Sequence, residues 1–142
     1  MAKTYLQKNF DLDTVVTLAV PGAVISASGT NTGTPNIPMG RSHHIAFIIT
    51  AIDSNLAGKI TAEILQATST GATPATAAIK STTFAAGTTS AGIAKILEVE
   101  ASELDVANGY DHVTIKITTA GADSVAVAVI RGPNRYDPSS VI

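Results

Sequence analysis

Three histidines, a short acidic cluster and a glycine-rich loop are the places in this 142-residue chain where chemistry is conceivable. His43 and His44 are adjacent, and His112 stands far along the chain. Neighbouring residues of a strand point to opposite faces, so His43 and His44 cannot hold one metal together. A zinc site takes three or four ligands in one place, and the chain has no cysteine to complete a set. The histidines read as strand-edge residues, and no metal is expected. Glu98, Glu100, Glu103 and Asp105 form the acidic cluster. Paired carboxylates can divide acid and base roles in glycoside hydrolysis, but such a site also wants a cleft with aromatic platforms. The chain has three Tyr, three Phe and no Trp. The acidic spacing matches no calcium loop, and the cluster reads as a solvated turn. Residues 28–40 carry glycines that a phosphate cradle would use, but lack its lysine and a following helix. No Gly-x-Ser-x-Gly elbow is present. The expectation is a non-enzyme with no catalytic residue and no cofactor.

The elements carry the rest of the information. In the run from Tyr110 onward, Val113, Ile115 and Ile117 share one face, and Thr114, Lys116 and Thr118 take the other. That alternation marks a strand with one buried side. After a short Ala-Gly-Ala-Asp turn, Val125, Val127 and Val129 line one face of a second strand. Its opposite face carries Ala126, Ala128 and Ile130, so it is apolar too. A strand apolar on both faces predicts cover on both. The cover is another layer, another subunit or a larger partner.

Further strands are predicted at 14–20, 23–27, 43–52, 59–68, 76–84 and 93–100. Pro21-Gly22 and Asn108-Gly109 supply turns. Residues 28–40 read as a long loop, and 101–106 as one helical turn capped by Ser102. Ile45, Phe47 and Ile49 form a core face, with Ile48 and Ile52 opposite. Lys95 is the misfit on the core face of 93–100. About eight strands without a long helix predict an all-β antiparallel β-sandwich, a jelly roll before an immunoglobulin-like sandwich. Phe47, Ile49, Ile64, Val113, Ile115, Val127 and Val129 are its expected core. The organisation expected is an N-terminal arm at 1–13, a sandwich domain at 14–131 and a C-terminal tail at 132–142.

Composition narrows the function classes. The net charge is −2 and 14% of residues are charged, with the basic residues scattered. A nucleic-acid binder would cluster its Lys and Arg, so none is expected as partner. No run has the length of a membrane span or of a signal-peptide core, so no membrane partner is expected either. So sparse a charge suits life in an assembly.

One ordered set of residues resembles a known family. It runs from Ser102-Glu-Leu-Asp-Val-x-Asn-Gly-Tyr110, through the Val113-x-Ile-x-Ile117 strand and the Ala/Val strand, to Arg135-Tyr136-Asp137-Pro138. It resembles the cement or decoration proteins of tailed-phage heads, nearest to the jelly-roll cement proteins of short-tailed phages. The likeness covers roughly residues 43–138, and the N-terminal third has no counterpart. The resemblance implies a virion protein on the outer capsid surface, made in the host bacterial cytoplasm. It implies the major capsid protein as partner, with a shell braced against internal pressure. Other head-completion or tail roles, and a carbohydrate-binding sandwich, are the competing readings.

Interface anchors follow from residue type. Tyr5, Leu6 and Phe10 in the arm, and Arg131, Arg135 and Tyr136 at the other end, are the expected contacts to capsid or neighbouring subunit. Ala126, Ala128 and Ile130 are the expected oligomer face of a homo-oligomer, with a two-fold dimer favoured over a trimer.

Overall fold

The computed structural model describes residues 24–25, 29–33, 35–40, 44–52, 56–87 and 93–131. They form nine strands: β1 (Val24–Ile25), β2 (Gly29–Thr32), β3 (Ile37–Pro38), β4 (His44–Ala51), β5 (Ile60–Ala67), β6 (Ala78–Phe84), β7 (Ile93–Glu100), β8 (His112–Thr119) and β9 (Asp123–Arg131). The only helical pieces among the described residues are two 3-10 turns, Ala101–Glu103 and Val106–Asn108. The expected strand at 14–20 lies outside the described residues, as do the arm at 1–13 and the tail at 132–142.

The fold is an all-β antiparallel sandwich. One sheet has the order β1-β9-β4-β7, and the other β2-β8-β5-β6 with β3 also paired to β8. The pairs β1/β9, β2 and β3/β8, β4/β7 and β5/β6 are nested, as in one long hairpin. Rolling that hairpin adds β4/β9 and β5/β8. This is the jelly-roll arrangement, in which consecutive strands mostly change sheets.

Period-2 patterning places the core between the sheets. Phe47, Ile49, Ile64, Val113, Ile115 and Val129 are buried in one cluster, and Val127 packs against it half-buried. Ile37, Met39 and Phe84 join them. All seven expected core residues therefore meet in one core. Lys95 shares the inward phase of β7 but lies at the sandwich flank. Its Nζ donates to the Thr83 carbonyl and sits 5.1 Å from the Phe84 ring centroid. A cation over an aromatic face explains how the misfit is tolerated.

Two expectations need correction. Residues 28–40 are not simply a loop, because β2 and β3 both pair with β8. The Gly, Thr and Asn residues of β2 show no alternation and are strand by backbone pairing, while β3 also anchors Ile37 in the core. The turn after β7 is capped by Glu100 rather than Ser102. The Glu103 carboxylate accepts from the Glu100 N–H at 2.8 Å, while Ser102 Oγ donates to Glu100.

Lys80 also donates to the Glu103 carboxylate. That bond, then the Glu100 N–H, holds the Glu103 carboxyl below its ordinary value of 4.5. A folded-state value below the unfolded one stabilises the turn above about pH 4.5 and ceases to do so as pH falls through the lowered value. Lys80→Met should move the Glu103 titration upward, as read by carboxyl-carbon NMR. An unmoved titration would remove Lys80 as the chief cause.

Candidate functional site

The two outward faces of the sandwich differ in chemistry. On the β2-β8-β5-β6 sheet, Lys116 pairs with Glu63, and the hydroxyls of Thr30 and Thr118 lie 3.3 Å apart. Thr114 on the same side is buried and donates its hydroxyl to the Gly33 carbonyl at 2.7 Å. Polar groups here meet one another within the chain.

The β1-β9-β4-β7 sheet turns an apolar face outward. Register sets its rows. Ala128, Ile48 and Ile96 stand side by side across β9, β4 and β7. Ala126, Thr50 and Ala94 form the next row on one side, and Ile130, Ala46 and Glu98 on the other. Glu98 is the one charge in these rows, and His44 lies 3.7 Å from it. Ile52 continues the phase of β4 and is 45% exposed. Ile96 is 59% exposed, and Ala128 is exposed as well. Large apolar side chains left in water cost free energy that burial against a partner recovers, roughly 1.5–3 kcal/mol for a whole isoleucine. Contiguous apolar rows of this kind mark interaction surfaces more often than scattered ones do.

The expected face residues fall here. Ala126, Ala128 and Ile130 alternate with Val125, Val127 and Val129, which point into the core, so they face away from the second sheet of their own subunit. Ile48 and Ile96 complete the surface. The β4 alternation already placed Ile48 opposite the core, but Ile96 gave no signal until strand order put β7 beside β4.

The expected anchors are placed only in part. Arg131 ends β9 and donates from Nη2 to the Pro38 carbonyl at 2.9 Å, so it is tied to its own chain. Tyr5, Leu6, Phe10, Arg135 and Tyr136 lie outside the described residues.

The structure disperses the residues that looked chemical. Glu98 pairs with His44, Glu103 with Lys80, and Asp105 accepts from Asn108 Nδ2 at 2.6 Å. His112 contacts Asp111 and, at 3.3 Å, the Thr70 hydroxyl. Among the described residues no three His, Asp or Glu side chains converge on a metal-sized site. Gly33 of the glycine-rich stretch donates to the Ile115 carbonyl at 2.8 Å, which makes it an extension of β2 rather than a cradle.

Sequence reading missed three devices that hold the sandwich together. Asp123, fully buried at the start of β9, accepts from the Ala57 and Gly58 N–H groups at 2.7 and 3.0 Å and from the Thr119 hydroxyl at 3.0 Å. Gly58 and Gly121 cross so closely that a Cβ on Gly58 would lie 2.3 Å from the Gly121 nitrogen. Buried Asn36 donates to the Ser69 and Ala72 carbonyls, both at 2.8 Å.

No protein-family model matches the chain, and no curated protein is significantly similar to it. Among the described residues, no helix is long and apolar enough to cross a membrane.

Proposed function

We propose that this chain is a structural, non-enzymatic decoration protein of a tailed-phage head, bound to the outside of an icosahedral shell of major capsid protein. The observation that carries the reading is the contrast between the two outward faces. One sheet presents rows of Ala and Ile around Ile48, Ile96 and Ala128, and the other presents a Lys116–Glu63 pair and threonines. A rigid sandwich with one apolar side suits a protein that lays that side on a larger surface and shows its polar side to water. The resemblance of residues 43–138 to jelly-roll cement proteins supports the same reading. In this account the arm and tail reach from the plate to adjacent subunits through Tyr5, Leu6, Phe10, Arg135 and Tyr136. Arg131, the last described residue before the tail, is held by the Pro38 carbonyl.

Deleting residues 132–142 tests the tail. Thermal stability should stay within a few degrees of the parent while binding to capsid shells is lost. Unfolding of the truncated protein, or undiminished binding, would refute the tail's docking role. Copy number separates decoration from other head or tail roles. A decoration protein scales with shell area, whereas a completion protein is confined to a vertex.

A second reading has one observation in its favour. An open pocket of about 770 Å3 is lined by Gln66, Thr73, Asp105, Asn108 and Tyr110, among others. Hydroxyl, amide and carboxylate groups beside a tyrosine are the means by which a sandwich module holds a sugar. Under that reading Tyr110→Ala abolishes binding to a glycan array and leaves shell binding unchanged.

A further inference from the structure

Strand β7 closes one side of its sheet, and its outer edge has no strand beside it among the described residues. Two contacts fix which backbone groups face that edge. The Ile52 N–H donates to the Ser124 carbonyl, so even-numbered residues of β4 bond toward β9 and odd-numbered ones toward β7. The pairs Ile45–Val99, Phe47–Leu97 and Ile49–Lys95 are then the hydrogen-bonded ones. The Glu100 N–H, taken by the Glu103 carboxylate, agrees with that phase. Ala94, Ile96 and Glu98 therefore turn their N–H and C=O groups to the free edge, and the same residues carry their side chains on the outward apolar face.

An exposed edge is a template for another strand, and soluble proteins blunt it with charge, proline or bulges. The neighbouring edge strand β6 is blunted in this way. Lys95 occupies the Thr83 carbonyl, Lys80 projects from the strand to Glu103, and the register shifts at Ile64/Leu65. β7 carries Lys95 and Glu98 on either side of its centre, but Lys95 is drawn to Thr83 and Phe84 and Glu98 lies by His44, which leaves Ile96, 59% exposed, as the apolar middle of the edge.

We infer that the β7 edge pairs with the β7 edge of a second copy, antiparallel and two-fold symmetric about Ile96, joining two four-stranded sheets into one. Side-chain complementarity selects both occupant and register. Centred on Ile96, the two Ile96 side chains are directly opposed, Ala94 opposes Glu98 of the other copy, and Lys95 opposes Leu97. No like charges meet, and the long Glu98 lies beside the smallest residue of the strand. Centring on Glu98 would oppose two carboxylates, which is destabilising. Centring on Ala94 would shorten the pairing and leave Ile96 without an apolar partner. Because residues opposed in an antiparallel pair share a face, the outward apolar rows of both copies become one continuous surface.

The absence of native cysteine makes the test direct. Residues opposed in a hydrogen-bonded antiparallel pair have Cα atoms about 5.5 Å apart, inside the range a disulfide spans. Purified full-length Ile96→Cys should form a covalent dimer under mild oxidation, whereas Ala128→Cys should not. Ile96→Lys should weaken dimerisation at least tenfold by sedimentation equilibrium, with an unchanged melting temperature at concentrations where both proteins are monomers, because the side chain is exposed in the single subunit. In the parent protein, amide exchange at Ala94, Ile96 and Glu98 should slow as concentration rises. An Ile96→Cys protein that stays monomeric on oxidation, an Ala128→Cys protein that cross-links in its place, or concentration-independent exchange at Ile96 would overturn the pairing. The pairing does not rest on the decoration reading, and no shell is present in the test.

Discussion

Gly58→Ala is expected to lower the melting temperature by roughly 10 °C. The added Cβ would sit 2.3 Å from the Gly121 nitrogen and 2.6 Å from the Ala120 carbonyl carbon. Both obstacles are backbone, so no rotamer change relieves the overlap. Forced overpacking costs about 3 kcal/mol, and each kilocalorie moves the midpoint of a domain this size by about 3–4 °C. Gly121→Ala meets the same crossing from the other side and should behave alike. Asp123→Ala belongs to the same device. It leaves the buried Gly58 N–H and the Ala57 N–H without their acceptor, while the Thr119 hydroxyl keeps the Gly121 carbonyl, at a cost of about 3 kcal/mol. Asp123→Asn keeps one acceptor oxygen and should lose less. Differential scanning calorimetry checks all four variants. A Gly58→Ala protein melting within 2 °C of the parent, read against that expected loss, would mean that the two loops can part without affecting the sandwich.

That crossing illustrates what was and was not legible in the sequence. Strands β4, β5, β8 and β9 were legible as strong β-runs: Val113-Thr-Ile-Lys-Ile117 writes one-sided burial as alternation, and Ile45-Ala-Phe-Ile-Ile49 is a continuous apolar run whose odd positions form the core face. The core followed from the same phase. β2 was not legible, because an edge strand of Gly, Thr and Asn held by backbone bonds leaves no side-chain pattern, and β3 was not, because its two residues, Ile37 and Pro38, are too short a run to show one. Asp123 read as an ordinary turn residue, since its partners Ala57 and Gly58 lie 66 and 65 positions away in the chain. The apolar face was half legible. Ala126, Ala128 and Ile130 stood out because the whole of β9 is apolar. Ile96 looked like one more hydrophobic residue between Lys95 and Leu97. Its place in the central row depends on β7 lying beside β4, which is a property of the roll and not of any local stretch.

The second large effect concerns the face itself. Ala128 is exposed and lies in the central row between the β1 side of the sheet and Ile48, so Ala128→Arg should leave the fold intact. On a docked face the same arginine must be desolvated against apolar neighbours without a partner, which costs at least about 2 kcal/mol, or roughly thirtyfold in affinity. Thr118→Arg on the polar outward face of the other sheet provides the control, because that side faces water in the proposed arrangement. In the proposed arrangement tail and face contribute separately, and the two losses should be roughly additive where their contacts do not overlap.

The most direct test of the central claim is co-sedimentation with expanded shells of the major capsid protein proposed as the partner. Parent protein, Ala128→Arg and Thr118→Arg are compared at equal melting temperature. The account predicts that the parent and Thr118→Arg saturate the shells while Ala128→Arg binds at least thirtyfold more weakly. Equal binding by Ala128→Arg, or loss of binding by Thr118→Arg alone, would contradict the assignment of the β1-β9-β4-β7 face as the docking surface.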